Sequence, residues 1–311
     1  MQQNRPWGIY AKLLLTAVFW GGTFIAGRQV SQHLNAYSIA FLRFATASAL
    51  LLTLLWIQER GFPRPSKGQL VPILLLGMTG IFTYNVLFFK GLQRIEAGRA
   101  SLIVATCPAF IAVASVLLVG ERLNLAKALG IPLSMLGAIV VISKGDLRQI
   151  GAGGIGWGEL FILGCVLSWT AYSLIGKIVM GRLSPLVSVA YSAVVGAVAL
   201  LVPALANGLA SSLRHASWLD WASILYLALF GTVIGFVWFY QGVKAVGPIR
   251  AGLFINFVPL SAVLLAFAIL HEGITWSLAA GAVLVLSGVC LTNRGPRAPS
   301  TRSLEGEKVR R

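Results

Sequence analysis

Long apolar segments, each closed by a short cluster of charges, glycines or prolines, recur along the whole 311-residue chain. Five segments of about 18 to 23 residues fall near positions 10–30, 37–57, 69–89, 97–119 and 124–143. Five more fall near 157–179, 185–205, 220–242, 249–270 and 275–292. As helix, each covers roughly 30 Å of hydrocarbon, and in lipid a helix satisfies all of its backbone polar groups internally. The pattern predicts ten transmembrane helices. The connections carry turn signals, as in Glu59-Arg60-Gly61-Phe62-Pro63-Arg64-Pro65, and none has room for a soluble domain.

The ten segments are five used twice. A shift of 151 residues superimposes Gly91 on Gly242, Arg99 on Arg250, Ala100 on Ala251, Pro108 on Pro259, Glu121 on Glu272, Gly130 on Gly281 and Gly137 on Gly288. Near the start of each half a shift of 149 pairs Trp20 with Trp169, Gly27 with Gly176 and Arg28 with Lys177. The organisation expected is a first repeat over 1–148, a Gly-rich linker over 149–156, a second repeat over 157–294 and a disordered basic tail over 295–311. Because five is odd, the second half must enter the membrane upside down. Inverted repeats of this kind recur in secondary transporters, where the two halves open a central site first to one side and then to the other. The fold class predicted is thus an all-α membrane protein, ten transmembrane helices in two inverted five-helix repeats around a central cavity.

Composition changes the picture in two ways. The chain is 57% hydrophobic and 11% charged with a mean hydropathy of +0.83, so lipid rather than water surrounds most of it. Its net charge of +16 would suggest nucleic acid in a soluble protein, but here the basic residues sit between and after the apolar segments. With the N-terminus on the cytoplasmic side, that side's loops and the tail hold 17 Lys and Arg against 7 in the opposite loops. The positive-inside rule then places both termini in the cytoplasm. Cys107, Cys165 and Cys290 lie inside apolar runs without paired spacing, which points to packing and not to disulfides or a metal.

Several residue groups resemble the EamA family of the drug/metabolite transporter superfamily, and the resemblance covers nearly the whole chain. In the first half it rests on Trp20-Gly21-Gly22, on Arg43-Phe44, and on Ala97 to Pro108 leading to Gly120-Glu121-Arg122-Leu123. The second half repeats it with Pro248 to Pro259, Glu272 and Gly281, but carries Ser192 where the equivalent of Arg43 falls. Within the family the chain looks most like exporters of aromatic amino acids, which implies export of amino acids across a bacterial inner membrane. Cationic drugs and sugar-nucleotide-like solutes are the competing substrates.

A site for such a solute needs polar contacts for amino and carboxylate groups and an apolar or π-rich wall. Trp20 and Trp169, matched across the repeat, are the first candidates; Tyr84, Tyr172 and Trp238 follow, against the alternative that each faces lipid or the interface. Asn85, Asn256 and Gln241 are the polar candidates, against the alternative of joining helices. Pro108 and Pro259 each remove a helical hydrogen bond and are expected to kink or hinge their spans. Arg43 is the basic residue inside a span; it either attracts a carboxylate or, in keeping with its place in the family pattern, serves a gating or structural role. Glu121 and Glu272, at span ends, are expected to fix turns or cap helices.

The nine acidic residues all avoid the middle of a span, so a carboxylate relay for protons is not visible and passive transport is expected. Gly151-Ala152-Gly153-Gly154-Ile155-Gly156 matches a dinucleotide fingerprint but follows no strand and opens a membrane span, so it reads as linker. A membrane enzyme would need a His/Asp/Glu cluster and a sensor an appended soluble domain; neither is present in the sequence. No cofactor, metal or nucleic acid is expected. The partners expected are the lipid bilayer and a small-molecule substrate, an amino acid, with a monomer as the simplest unit.

Overall fold

The computed structural model describes residues 6–119, 125–146, 155–179, 184–246 and 248–292. Most of the 149–156 linker, Glu121 and the 295–311 tail lie outside them. The described residues form helices joined by short turns and loops, with no strand among them. Ten helices follow in order: α1 Pro6–Ser31, α2 Ala36–Glu59, α3 Lys67–Leu92, α4 Ala97–Leu118, α5 Leu125–Ile142, α6 Trp157–Val179, α7 Pro185–Ala206 and α8 Trp218–Val246. The last two are α9, built of Pro248–Ile255 and Phe257–Leu270, and α10 Trp276–Thr292. Nine of the ten contain a stretch long and apolar enough to span a bilayer, and α10, at 17 residues, is shorter but equally apolar. Below, the near face is the one where α1 begins and the far face the one where it ends.

Local chemistry sets the helix limits. Asn35 opens α2 by accepting from the Tyr37 amide at 2.9 Å. Ser184, followed by Pro185 at the first helical position, opens α7. Ser217 and Asp220 form a reciprocal capping box at α8, with 2.9 Å from Ser217 N to Asp220 Oδ2 and 3.2 Å from Asp220 N to Ser217 Oγ. The sequence pattern did not show a short helix, Leu209–His215, which lies between α7 and α8 behind a left-handed Gly208.

The two halves clasp one another along repeat-matched surfaces. α2 packs on α7, α1 on α9, α6 on α3 and α4, and α5 on α10. The α5–α10 seam is made by glycines: a methyl on Gly288 would stand 2.3 Å from Ser134 N, and one on Gly137 2.6 Å from Val285 N. Gly130 and Gly281 meet their neighbours as closely, so the four glycines that matched at the 151-residue shift are the residues that let two backbones touch. Phe88, Phe89, Leu51, Leu55, Ile162 and Leu200 are buried inside the bundle, whereas Leu117, Leu118, Val202, Phe267 and Val283 face outward, as expected of a lipid-facing belt.

Candidate functional site

Neither α3 nor α8 is a regular helix. Each contains a π-helical turn, Gly77–Thr83 in α3 and Leu229–Ile234 in α8, at places the 151-residue shift brings into register. A π turn widens the helix and loosens its carbonyls for other donors, a feature concentrated at functional sites. Side chains take those carbonyls here. Ser168 Oγ donates to Thr79 O at 2.7 Å, Asn85 Nδ2 to Ile81 O at 2.8 Å, Thr232 Oγ1 to Leu227 O at 3.0 Å and Trp20 Nε1 to Gly231 O at 3.2 Å.

Glycines in both turns admit the neighbouring half. A methyl on Gly80 would meet the Tyr172 ring at 2.2 Å, and one on Gly231 would meet Thr23 Cγ2 at 2.6 Å. Thr23 and Tyr172 are themselves partners under the 149-residue shift, so the same embrace occurs twice: α6 against the α3 turn and α1 against the α8 turn. The two Trp residues obey the same relation. Trp169 sits 5.5 Å from the Tyr84 ring and stacks on Tyr172 at 5.0 Å; Trp20 packs against Gly235, the repeat partner of Tyr84, and lies 5.6 Å from Phe236 and 5.4 Å from Phe239. Tyr240 lies 6.2 Å from Phe236, beside Trp20. Trp20, Tyr84, Trp169, Tyr172, Phe236 and Tyr240 are all half-buried.

Arg43 projects from α2 into the same region and is 8% exposed. Its Nη1 donates to Asn85 Oδ1 at 3.0 Å, and its Nη2 and Nε share Thr232 Oγ1 at 3.2 and 3.4 Å. The guanidinium rests over the Phe44 ring at 5.0 Å. Asn85 and Thr232 are buried and anchored to the two π turns, so each half contributes one oxygen that aims Arg43. Asn85 thus stands beneath the guanidinium, with both amide hydrogens directed to Ile81 and Gly80 carbonyls. No carboxylate among the described residues pairs with Arg43.

The other candidates lie elsewhere. Trp238 packs on Phe19 at 5.7 Å, with Lys12 over its ring at 5.9 Å. Gln241 is exposed and accepts from Lys12 Nζ at 2.9 Å. Asn256 occupies the break in α9 and reaches Cys290 Sγ at 3.6 Å. Pro108 and Pro259 follow the two repeat-matched interruptions, at Ala105–Thr106 in α4 and at Asn256 in α9. A cleft of about 440 Å³ at the far face, lined by His33, Asn35, Asn207, Ser211 and His215 among others, shares no residue with the aromatic group.

A belt of polar contacts lies at the far face; the capping role expected of Glu272 is found there, whereas sequence reasoning missed the belt's two ion pairs. Arg99, near the start of α4, is buried and pairs with Glu159, near the start of α6, at 2.9 Å; it also donates to Ile142 O. Glu272, just past α9, accepts from the amides of Ala97 and Gly98 at 2.8 and 3.0 Å, so it caps α4 of the opposite half. His33 Nδ1 meets Asp220 Oδ1 at 3.0 Å. In every case the acid belongs to the second half and its partner to the first. The paired residues are separated by roughly 60 to 190 positions, which is why no local spacing announced the ion pairs.

Comparison with known proteins agrees with this architecture. The model of the EamA-like transporter family matches residues 7–143 and again 156–294. The uncharacterized transporter YyaM of Bacillus subtilis (strain 168) is 30% identical over 301 residues, covering 97% of this chain and 98% of that protein. A protein of Streptantibioticus cattleyicolor named "Probable terminal-alkyne amino-acid exporter" is 31% identical over 290 residues, 91% of this chain and 92% of its own length. A solved crystal structure with 17% identity superposes with a TM-score of 0.62 over 92% of this chain and 97% of that one, a likeness of fold alone. Two family matches of nearly equal length, laid over two halves that pack as inverted copies, leave one conclusion: the chain belongs to the EamA-like transporter family.

Proposed function

We propose that this protein is a bacterial inner-membrane exporter of amino acids, aromatic and other neutral ones, or of similar small metabolites. It works by alternating access and by facilitated diffusion, with both termini in the cytoplasm, and it is not an enzyme. The observation that carries the reading is the pair of aromatic groups built on the repeat-matched tryptophans, Trp169 with Tyr84 and Tyr172 and Trp20 with Phe236 and Phe239. Half-buried aromatic faces beside a few fixed polar groups are what a binding site for an amphipathic solute requires. The name of the Streptantibioticus relative points to the same substrate class. Excess Lys and Arg on the near side supports cytoplasmic termini. Trp20 and Trp169 are the residues we expect to touch substrate, with Tyr84 and Tyr172 beside Trp169.

The test is uptake of radiolabelled aromatic amino acids into liposomes holding the purified protein, comparing wild type with Trp20→Ala and Trp169→Ala, with and without a proton gradient. Saturable uptake that falls at least tenfold in either variant and ignores the gradient is the expected result. Uptake that requires the gradient would overturn the passive mechanism, and no uptake by wild type would overturn the amino acid assignment.

A further inference from the structure

The two halves share a scaffold but not a chemistry. At the junction, the positions that hold Arg43, Asn85, Thr232 and Thr23 on one side are held by Ser192, Phe236, Ile81 and Tyr172 on the other, under the 149- and 151-residue shifts. The first set is polar and carries a full charge. The second carries no charge and, apart from Ser192, whose hydroxyl donates to Val189 O on its own helix, is aromatic or apolar. A symmetric frame with one cationic and one aromatic flank gives a solute a fixed direction across the pseudo-two-fold axis.

Arg43 is the group that decides what the cationic flank takes. At 8% exposure in a membrane helix, a guanidinium loses most of its hydration, and that loss is normally offset by an anion. Arg43's partners are an amide oxygen, a hydroxyl oxygen and the Phe44 ring, all neutral. Buried Arg99, by contrast, has Glu159 at 2.9 Å. The bonds from Nη1, Nη2 and Nε use three of the five guanidinium N–H groups and leave one on each terminal nitrogen for a carboxylate.

We propose, resting on the transporter reading above, that Arg43 binds the free carboxylate of the substrate and that the substrate side chain lies against Tyr84, Trp169 and Tyr172, so that a free carboxylate is required for transport. Asn85 and Thr232 are positioning residues, holding the guanidinium from one π turn in each half.

The experiment measures uptake into proteoliposomes of L-phenylalanine, of phenylalaninamide, which keeps the ammonium and ring but has no carboxylate, and of hydrocinnamate, which keeps the carboxylate and ring but has no ammonium. The variants are wild type, Arg43→Gln, Arg43→Lys and Asn85→Asp, each checked for a single monodisperse species in detergent. Loss of a charge-assisted bond at a desolvated site corresponds to about 10- to 100-fold, so wild type should favour phenylalanine over the amide by that factor. Arg43→Gln should raise the KM for phenylalanine by a similar factor, leave the amide unchanged and so abolish the preference, and Arg43→Lys should restore part of it. Asn85→Asp gives Arg43 a resident anion of the same shape and should abolish the preference even if Arg43→Gln does not fold.

Equal transport of phenylalanine and its amide by wild type would overturn the proposal, as would Arg43→Gln or Asn85→Asp lowering both substrates by one common factor. Wild type that moves hydrocinnamate but no amino acid would uphold the carboxylate requirement and overturn the amino acid reading. Wild type that moves none of the three would overturn both.

Discussion

The far-face belt offers the sharpest test of how the halves move. If the halves alternate as proposed above, the far face must open, and there second-half acids tie to first-half partners: Glu159 to Arg99, Glu272 to the Ala97 and Gly98 amides, and Asp220 to His33. The Arg99–Glu159 pair is the most costly to break. Its side chains are 10% and 6% exposed, so both charges have left water, and the guanidinium is also tied to Ile142 O. Removing one member of such a pair leaves the other buried and uncompensated, at about 3–5 kcal/mol. That cost falls on the closed state only, because separating α4 from α6 returns Arg99 to water. At about 1.4 kcal/mol per decade, Glu159→Gln should therefore shift the balance toward the far-open state by roughly two to four orders of magnitude.

The assay is thiol accessibility. Ser101, 2% exposed and less than a turn beyond Arg99 in α4, becomes the reporter as Ser101→Cys in a background where Cys107, Cys165 and Cys290 are replaced by Ala. A membrane-impermeant maleimide added on the far side should react about 100-fold faster or more when Glu159→Gln is introduced. The double change Arg99→Met with Glu159→Leu removes both charges and fills the space with apolar atoms, so it should return the rate to within about tenfold of the parent, as apolar replacements of buried pairs commonly do. A single-variant rate within threefold of the parent would refute the reasoning, because it would mean that the pair carries no conformational work. A double variant as reactive as the single would refute it equally, since the defect would then be lost packing and not an orphaned charge.

Two further outcomes follow from the packing. Gly288→Ala drives a methyl to 2.3 Å from Ser134 N and 2.6 Å from Gly130 O, backbone atoms that have no rotamer to escape through; thermal unfolding in detergent should show a loss of about 1–3 kcal/mol, with little change in KM for the remaining folded protein. Ser217→Ala removes the hydroxyl that accepts from Asp220 N and donates to Asp220 Oδ2 at 2.7 Å, and the same measurement should show a loss of about 0.5–2 kcal/mol.

How much of this was legible beforehand depends on the range over which each feature is encoded. Span positions were legible because hydrophobic length is a local property: 157–179 and 185–205 were expected where Trp157–Val179 and Pro185–Ala206 are found. The inverted repeat was legible because identical residues recur at a fixed shift, and glycines such as Gly137 and Gly288 are kept where a methyl cannot fit. The π turns were not, since Gly77–Thr83 and Leu229–Ile234 contain no proline and lie inside apolar runs; each is entered by a neighbour from the opposite half, Tyr172 at Gly80 and Thr23 at Gly231, positions far away in the chain. Arg43 was visible as a charge in a span, but its two oxygen partners stand 42 and 189 residues away, in opposite halves. The ion pair of Arg99 and Glu159 was hidden for a further reason: each residue, taken alone at a helix start, reads as an interfacial charge with water beside it. Duplication explains why repeat matching can locate the junction yet understate what happens there. Matching rewards positions that stayed alike, Trp20 with Trp169 or Gly80 with Gly231, and those build the frame. The positions that diverged, Arg43 against Ser192 and Asn85 against Phe236, are where the two halves differ in chemistry, and it is on them that the proposed carboxylate site rests.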